Sequence, residues 1–82
     1  MYKIEFDKKA IEYLNKHDEK IKERIFNKII STKENPFYNF ERLTSRKDYK
    51  LRIGNYRAIA DIDKKLKIIK IRIIMHRRNI YK

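Results

Sequence analysis

Gly54, the single glycine of the chain, lies between two runs in which apolar and charged residues alternate. One run is Tyr49–Ile53, and the other begins at Tyr56. Alternation with a period of two is typical of a strand that is buried on one face. A Gly-Asn pair supplies the positive φ that a two-residue hairpin turn requires. The sequence therefore predicts a β-hairpin with its turn at 54–55, in which Ile53 pairs with Tyr56.

This turn also predicts which side chains share a face, because residues opposite one another in an antiparallel pair point the same way. Arg52 then lies opposite Arg57. A second turn at 64–65 predicts a third strand, 66–75, with Arg72 opposite Arg57, whereas a three-residue loop would turn that strand over. The predicted apolar face carries Tyr49, Leu51, Ile53, Tyr56, Ala58, Ala60, Ile69, Ile71 and Ile73. The other face carries five cations, Lys50, Arg52, Arg57, Lys70 and Arg72.

The first half of the chain predicts a strand followed by two helices. Residues 2–6 alternate as a short strand, and Asp7 and Asp18 are suited to cap the helices that follow. Apolar residues then recur at helical spacing until Pro36, which disfavours helical backbone for Asn35. The stripes predicted to be core are Ala10, Ile11 and Leu14 in one helix and Ile21, Ile25, Phe26, Ile29 and Ile30 in the other.

Together these elements predict one α+β domain over residues 1–82, in the order β-α-α-β-β-β. The helical hairpin packs on one face of a small, mainly antiparallel sheet, and 37–47 is a connector. The chain has no cysteine, which excludes disulfides and thiolate metal sites. The N-terminus lacks an apolar signal segment and no apolar run approaches membrane-spanning length, so we expect a cytoplasmic protein.

Charge is the strongest signal in the composition. Lys and Arg total 23 against 11 Asp and Glu, which gives a net charge of +12 and a pI near 10.0. Such a domain attracts polyanions, of which nucleic acid is the commonest inside cells. An acidic protein partner and a merely solvated surface remain the alternatives. Like charges facing each other weaken a sheet by about 0.2–1 kcal/mol per pair, and a bound polyanion would reverse this repulsion.

Two segments carry a resemblance to a known family. Residues 49–57 read Y-K-L-R-I-G-N-Y-R, and residues 76–81 read H-R-R-N-I-Y. A Y-[KR]-L-R-x-G-x-Y-R hairpin followed by a C-terminal Arg and Tyr is the pattern of the RelE/ParE toxin superfamily, which this chain resembles. The length, the basicity and the element order are similar too, so the resemblance covers essentially the whole chain.

The resemblance implies a RelE-like fold and a toxin of a type II toxin–antitoxin system. RelE-like toxins enter the ribosomal A site and cut the mRNA there. The 2′-hydroxyl attacks the adjacent phosphate, with no metal or other cofactor. A RelB-type antitoxin wraps and blocks the toxin. We therefore expect the ribosome, mRNA and such an antitoxin as partners, with a toxin that is monomeric alone and forms a hetero-oligomer through its antitoxin.

The same resemblance implies roles for individual residues. Lys50 is the candidate base or 2′-oxygen stabiliser, because neighbouring cations favour the neutral form of a lysine. The other candidate catalytic residues are Arg57 and Arg77, which would stabilise phosphate charge, Arg52, which would support the phosphate or leaving group, and Tyr81, which would stack on a base. The candidate RNA-binding residues are Lys70, Arg72, His76 and Arg78, and His17 is expected to be an ordinary surface histidine.

Two other functions stay open at this point. ParE-like relatives share the fold and inhibit DNA gyrase, and a plain RNA-binding module would perform no chemistry. A neighbouring gene for a short, acidic, helical protein would favour either toxin over the binding module.

Overall fold

The computed structural model describes residues 1–43 and 48–79. In chain order its elements are β1 (Lys3–Phe6), α1 (Lys8–Asn15), α2 (Glu19–Ile30), α3 (Pro36–Asn39), β2 (Glu41–Arg42), β3 (Tyr49–Ile53), β4 (Tyr56–Asp63), β5 (Ile68–His76) and a 3₁₀ turn (Arg77–Asn79). None of these helices is long and apolar enough to cross a bilayer.

The strands form one five-stranded sheet in the order β1-β5-β4-β3-β2. Only β1 and β5 are parallel, and the other neighbours are antiparallel. This confirms the predicted α+β fold. The connector predicted at 37–47 is wrong in part, because it contains most of α3 and the whole of β2. Pro36 starts α3, since its fixed φ suits the first helical position.

The core lies between the helices and one face of the sheet, here called the inner face. The face turned away from the helices is the outer face. The buried apolar residues are Ala10, Leu14, Ile25, Ile29, Phe40, Leu51, Ile53, Ala58, Ala60, Ile69, Ile71 and Ile74. Of the predicted stripes, Ala10, Leu14, Ile25 and Ile29 are core and Ile21 packs against it. Ile30 is only partly buried, and Ile11 and Phe26 are 46% and 44% exposed. The ring of Phe26 stacks on Phe6 at the edge of the core, with 5.8 Å between centroids.

The first hairpin is confirmed. Gly54 has a φ of +57°, a conformation that costs other residues free energy because their Cβ crowds the backbone. Ile53 lies opposite Tyr56, and Arg52 lies opposite Arg57, so the two arginines share the outer face.

The second predicted turn is wrong in length. It spans four residues, 64–67, so that Asp63 pairs with Ile68. The carboxylate of Asp63 accepts backbone N–H bonds from Lys65 and Leu66, both at 2.9 Å, and Lys67 has a φ of +56°. The register consequently shifts by two residues, which leaves every side chain at the start of β5 on its predicted face.

A β-bulge at Arg72 then changes the faces of the rest of β5. Ala60 lies opposite Ile71 and Ile59 opposite Ile73, so Arg72 is an extra residue in the ladder. Ile74 is therefore buried on the inner face. The predicted inward position of Ile73 is wrong, because its side chain is 39% exposed.

The two predicted helix caps differ. The Asp18 carboxylate accepts the Ile21 N–H at 3.0 Å, as a capping side chain does. Asp7 occupies the cap position of α1 but makes no capping hydrogen bond. Its carboxylate pairs instead with Lys70 of the neighbouring strand.

Candidate functional site

The predicted row of three arginines across the sheet does not form. The four-residue turn and the bulge together place Met75, not Arg72, opposite Arg57. Arg72 is instead bound to the Asp61 carboxylate, with 3.5 Å between Nη1 and Oδ2. The five predicted cations lie on the outer face, but they form two groups that differ in charge balance.

The first group lies toward the 64–67 turn and is neutralised. Lys70 Nζ is 3.5 Å from the Asp7 carboxylate, and Arg72 pairs with Asp61. A surface ion pair contributes little stability, but it reduces the net charge that a polyanion meets. This half of the outer face is therefore a weak anion site.

The second group lies toward the 54–55 turn and keeps its positive charge. Arg52 and Arg57 face each other across β3 and β4. Among the ion pairs of the described residues, none involves either guanidinium. Lys50, next on the same face of β3, lies 3.8 Å from the Glu41 carboxylate. Uncompensated charge on the outer face therefore concentrates at the hairpin end.

Arg57 is held in place by the hairpin itself. Its side chain is 8% exposed, and Nη1 donates to the Gly54 carbonyl at 3.3 Å and to the Tyr56 carbonyl at 3.0 Å. An arginine stays protonated in a protein, so this is a permanent, partly desolvated positive charge. Both hydrogen bonds use Nη1, and among the described residues no hydrogen bond is made by the other N–H groups of the fork.

The 3₁₀ turn brings two further arginines to the same end of the sheet. The backbone N–H of Arg77 donates to the Asn55 carbonyl at 2.6 Å, which holds the turn against the first hairpin. Arg77 and Arg78 are both exposed. We call Glu41, Lys50, Arg52, Arg57 and Arg77 the hairpin site. Tyr81, the remaining predicted catalytic residue, lies outside the described residues.

His76 does not join this group. It lies opposite Tyr56 on the inner side of the sheet, and the two rings are 5.2 Å apart at a steep angle. Its Nδ1 accepts the backbone N–H of Arg78 at 3.2 Å. The structure therefore places His76 beneath the 3₁₀ turn, away from the outer-face cations with which the sequence grouped it.

The other side of Tyr56 faces the end of α1. The His17 ring lies 5.5 Å from Tyr56 and 4.6 Å from Tyr13, so His17 is half-buried and not an ordinary surface residue. Burial raises the pKa of Tyr13, and repulsion from Tyr56 adds to the shift, while a hydrogen bond with the His76 backbone opposes it. Tyr13 is therefore a packed, neutral phenol at pH 7.

Sequence reasoning missed two residues at this end of the molecule. Glu41 lies in the stretch taken for a connector, and only the pairing of β2 with β3 places it opposite Lys50. Arg24 lies on α2 outside the predicted apolar stripe, and nothing in the sequence set it apart from the other cations of that helix. Its guanidinium reaches Gly54, so that a Cβ on that glycine would lie 2.6 Å from Nη2.

These residues can act together on a phosphodiester. Guanidinium groups form charge-assisted hydrogen bonds with phosphate oxygens, and a carboxylate beside a lysine can take up a proton. In the described part of the chain, no group of His, Cys, Asp and Glu is arranged to hold a metal ion.

Comparison with solved structures shows what the fold is similar to. The toxin–antitoxin complex RelBE2 from Mycobacterium tuberculosis contains a chain with a TM-score of 0.85 and 22% identity, covering 93% of this chain and 98% of that one. A chain of the archaeal RelE–RelB complex from Pyrococcus horikoshii has a TM-score of 0.78 and 21% identity, covering 95% of this chain and 97% of that one. A chain of the intact E. coli RelBE complex has a TM-score of 0.75 and 21% identity, covering 93% of this chain and 96% of that one. No curated protein sequence shows significant similarity to the chain.

The sequence itself matches one family model, which describes the ParE toxin of the type II toxin–antitoxin system parDE, over residues 4–81. This range spans the sheet except Lys3, both long helices and the 3₁₀ turn. The chain therefore belongs to the ParE toxin family, within the RelE/ParE superfamily, and is a type II toxin with a RelE-like fold.

Proposed function

We propose that this chain is a ribosome-dependent endoribonuclease toxin that cuts mRNA in the cytoplasm. The observation that carries the proposal is the hairpin site. Arg52 and Arg57 face each other without a carboxylate partner among the described residues, next to the Glu41–Lys50 pair on the outer face. The backbone of Arg77 is bonded to the turn of the same hairpin. Such a surface attracts a phosphodiester backbone and holds a proton acceptor beside it.

In the proposed reaction, Glu41 removes the proton from a ribose 2′-hydroxyl. The 2′-oxygen attacks the adjacent phosphorus, the bond from phosphorus to the 5′-oxygen breaks, and the leaving 5′-oxygen takes up a proton from water. The products are a cyclic phosphate and a 5′-hydroxyl. Lys50, paired with Glu41 at 3.8 Å, stabilises the negative charge that develops on the 2′-oxygen. In this scheme Lys50 does not need to lose its own proton.

The arginines supply the remaining electrostatic stabilisation. Arg57 and Arg77 bind the phosphate oxygens as their charge grows, and Arg52 supports the phosphate or the leaving oxygen. Because an arginine remains protonated, none of the three acts as the base. The motif resemblance assigns base stacking to Tyr81.

The proposed RNA path continues beyond the hairpin site. Lys70, Arg72 and Arg78 contact its backbone, and the ion pairs of Lys70 and Arg72 make their contribution smaller than that of the hairpin site. His76 supports the 3₁₀ turn through the Arg78 N–H and does not touch RNA in this proposal.

We propose a RelB-type antitoxin as the neutralising partner. The structural neighbours described above come from RelBE complexes. Ile11 and Phe26 are half exposed beside Phe6 and Leu14, which leaves apolar surface between α1 and α2. An acidic, amphipathic antitoxin segment fits both this surface and the charge of +12.

The test is cleavage mapping on ribosomes programmed with a defined mRNA, with no metal added beyond the magnesium that keeps the ribosome assembled. We expect A-site cuts with cyclic-phosphate ends from the wild-type protein and none from Arg57→Ala. Because Arg57 is partly buried, circular dichroism must show that this variant is folded. Intact mRNA with the folded wild-type protein would remove the proposal.

The second candidate is inhibition of DNA gyrase, which the match to the ParE family model favours. Supercoiling assays with purified gyrase separate the two. Blocked supercoiling with intact mRNA would identify a gyrase inhibitor, whereas RNA binding without either activity would indicate a plain binding module.

A further inference from the structure

Arg24 lies against the hairpin turn from the helix side of the molecule. A Cβ built on Gly54 would be 2.6 Å from Nη2 of Arg24 and 3.2 Å from its Cζ, so the guanidinium packs directly on the glycine. On the same residue, the Gly54 carbonyl accepts from Arg57 Nη1 at 3.3 Å. One glycine therefore separates two guanidinium groups, one from α2 and one from the outer face.

Neither guanidinium has an acidic partner among the described residues. Two arginines held this close repel each other, and the repulsion is screened only by water and salt. An anion lying across the turn would convert that repulsion into attraction for both groups.

Cations continue from Arg24 along α2. Lys20 and Lys28 lie four residues before and after it, and residues at this spacing are neighbours on a helix surface. All three side chains are exposed and are joined to no carboxylate in an ion pair within the described chain. Like charges at this spacing destabilise a helix by about 0.2–0.5 kcal/mol per pair. The row therefore places three cations on one side of α2 without an ion pair to a carboxylate of the described chain.

We propose that Arg24 is a second phosphate-binding residue, and that RNA leaving the hairpin site crosses the 54–55 turn onto the Lys20–Arg24–Lys28 row. Gly54 permits this path because it has no Cβ to push Arg24 away from the turn. The inference rests on the proposed function in so far as RNA is the ligand, but it concerns binding rather than cleavage.

The experiment measures binding of a fluorescein-labelled, single-stranded 2′-O-methyl RNA by anisotropy over a series of salt concentrations. This RNA lacks the attacking hydroxyl, so it reports binding alone. Arg24→Gln keeps most of the side-chain length and removes the charge. The matched control is Lys65→Gln, which removes one charge from the turn at the opposite end of β4.

We expect Arg24→Gln to weaken binding about tenfold at low salt and to reduce the slope of log K against log salt by about 0.7, the value for one contact with single-stranded nucleic acid. Lys65→Gln should match the wild-type protein in slope. Arg24→Lys should restore the slope, which a purely structural role of Arg24 would not explain.

Equal slopes for Arg24→Gln and Lys65→Gln would overturn the inference, as would failure of the wild-type protein to bind this RNA. The outcome is distinguishable from failure of the proposed nuclease. RNA binding that depends on Arg24, with no cleavage on ribosomes, removes the nuclease and retains the RNA path. Cleavage on ribosomes, together with RNA binding that does not depend on Arg24, retains the nuclease and removes the RNA path.

Discussion

The backbone N–H of Arg77 donates to the carbonyl of Asn55 at 2.6 Å, and this bond joins the end of β5 to the tip of the first hairpin. The bond belongs to the main chain, so it does not depend on the side chain at 77. It holds the backbone of Arg77 at the same hairpin turn whose Gly54 and Tyr56 carbonyls accept from Arg57. The 54–55 turn thus holds both the Arg57 side chain and the backbone of Arg77.

Arg77→Ala should abolish most activity without unfolding the protein. The backbone bond to Asn55 survives the substitution, while the charge that stabilises the phosphate is lost. We expect single-turnover mRNA cleavage on ribosomes to fall about 10²–10³-fold, as for loss of one oxyanion-stabilising donor. Lys65→Ala, on the distant 64–67 turn, serves as the charge-matched control. Equal cleavage by both variants would place Arg77 outside the reaction.

Glu41→Gln tests the proton acceptor. The substitution keeps the shape of the side chain, removes its basicity and leaves Lys50 without its ionic partner. We expect the cleavage rate to fall about 10²–10⁴-fold, the usual contribution of general acid–base catalysis. RNA affinity should be unchanged or slightly higher, because one negative charge is removed. A rate equal to that of the wild-type protein would return the base role to Lys50.

Gly54→Ala should reduce stability through the backbone. Gly54 has a φ of +57°, and a left-handed conformation costs an L-residue about 1–2 kcal/mol. The new methyl would also displace Arg24. We expect a loss of this size in the free energy of unfolding, measured in urea. Gly54→Asn should lose less, because Asn tolerates this region better than Ala. Equal losses for the two variants would show that the displaced Arg24, and not φ, sets the cost.

Tyr13→Phe should make stability less sensitive to alkaline pH. Burial raises the pKa of Tyr13 in the folded state above its ordinary value of 10.0. The folded protein therefore holds this proton more tightly, and the associated stability is complete at neutral pH and decreases as the pH rises above about 10. Urea midpoints should fall less in Tyr13→Phe than in the wild-type protein over that interval. Parallel losses would mean that Tyr13 titrates normally.

Local sequence determined the first hairpin, the two helices and the fold class. The alternation around Gly54 leaves one register in which Leu51, Ile53 and Ala58 all face the helices, and the positive φ of the glycine selects the turn. The apolar spacing along α1 and α2 likewise determines which face of each helix is buried. Ile11 and Phe26 lie at the edge of that buried face and are half exposed.

Tertiary structure decided the end of β5 and the composition of the site. Ile71, Ile73 and Ile74 have the same side chain, so alternation could not show at which residue the buried face of the strand changes. Packing against the helices selects Ile74, and the bulge at Arg72 absorbs the extra residue. The longer 64–67 turn, together with the bulge, separates Arg72 from Arg57. Glu41 reaches Lys50 only through strand pairing, and Arg24 reaches Gly54 only through helix packing. These contacts join distant parts of the chain, and neither alternation nor helical spacing encodes them.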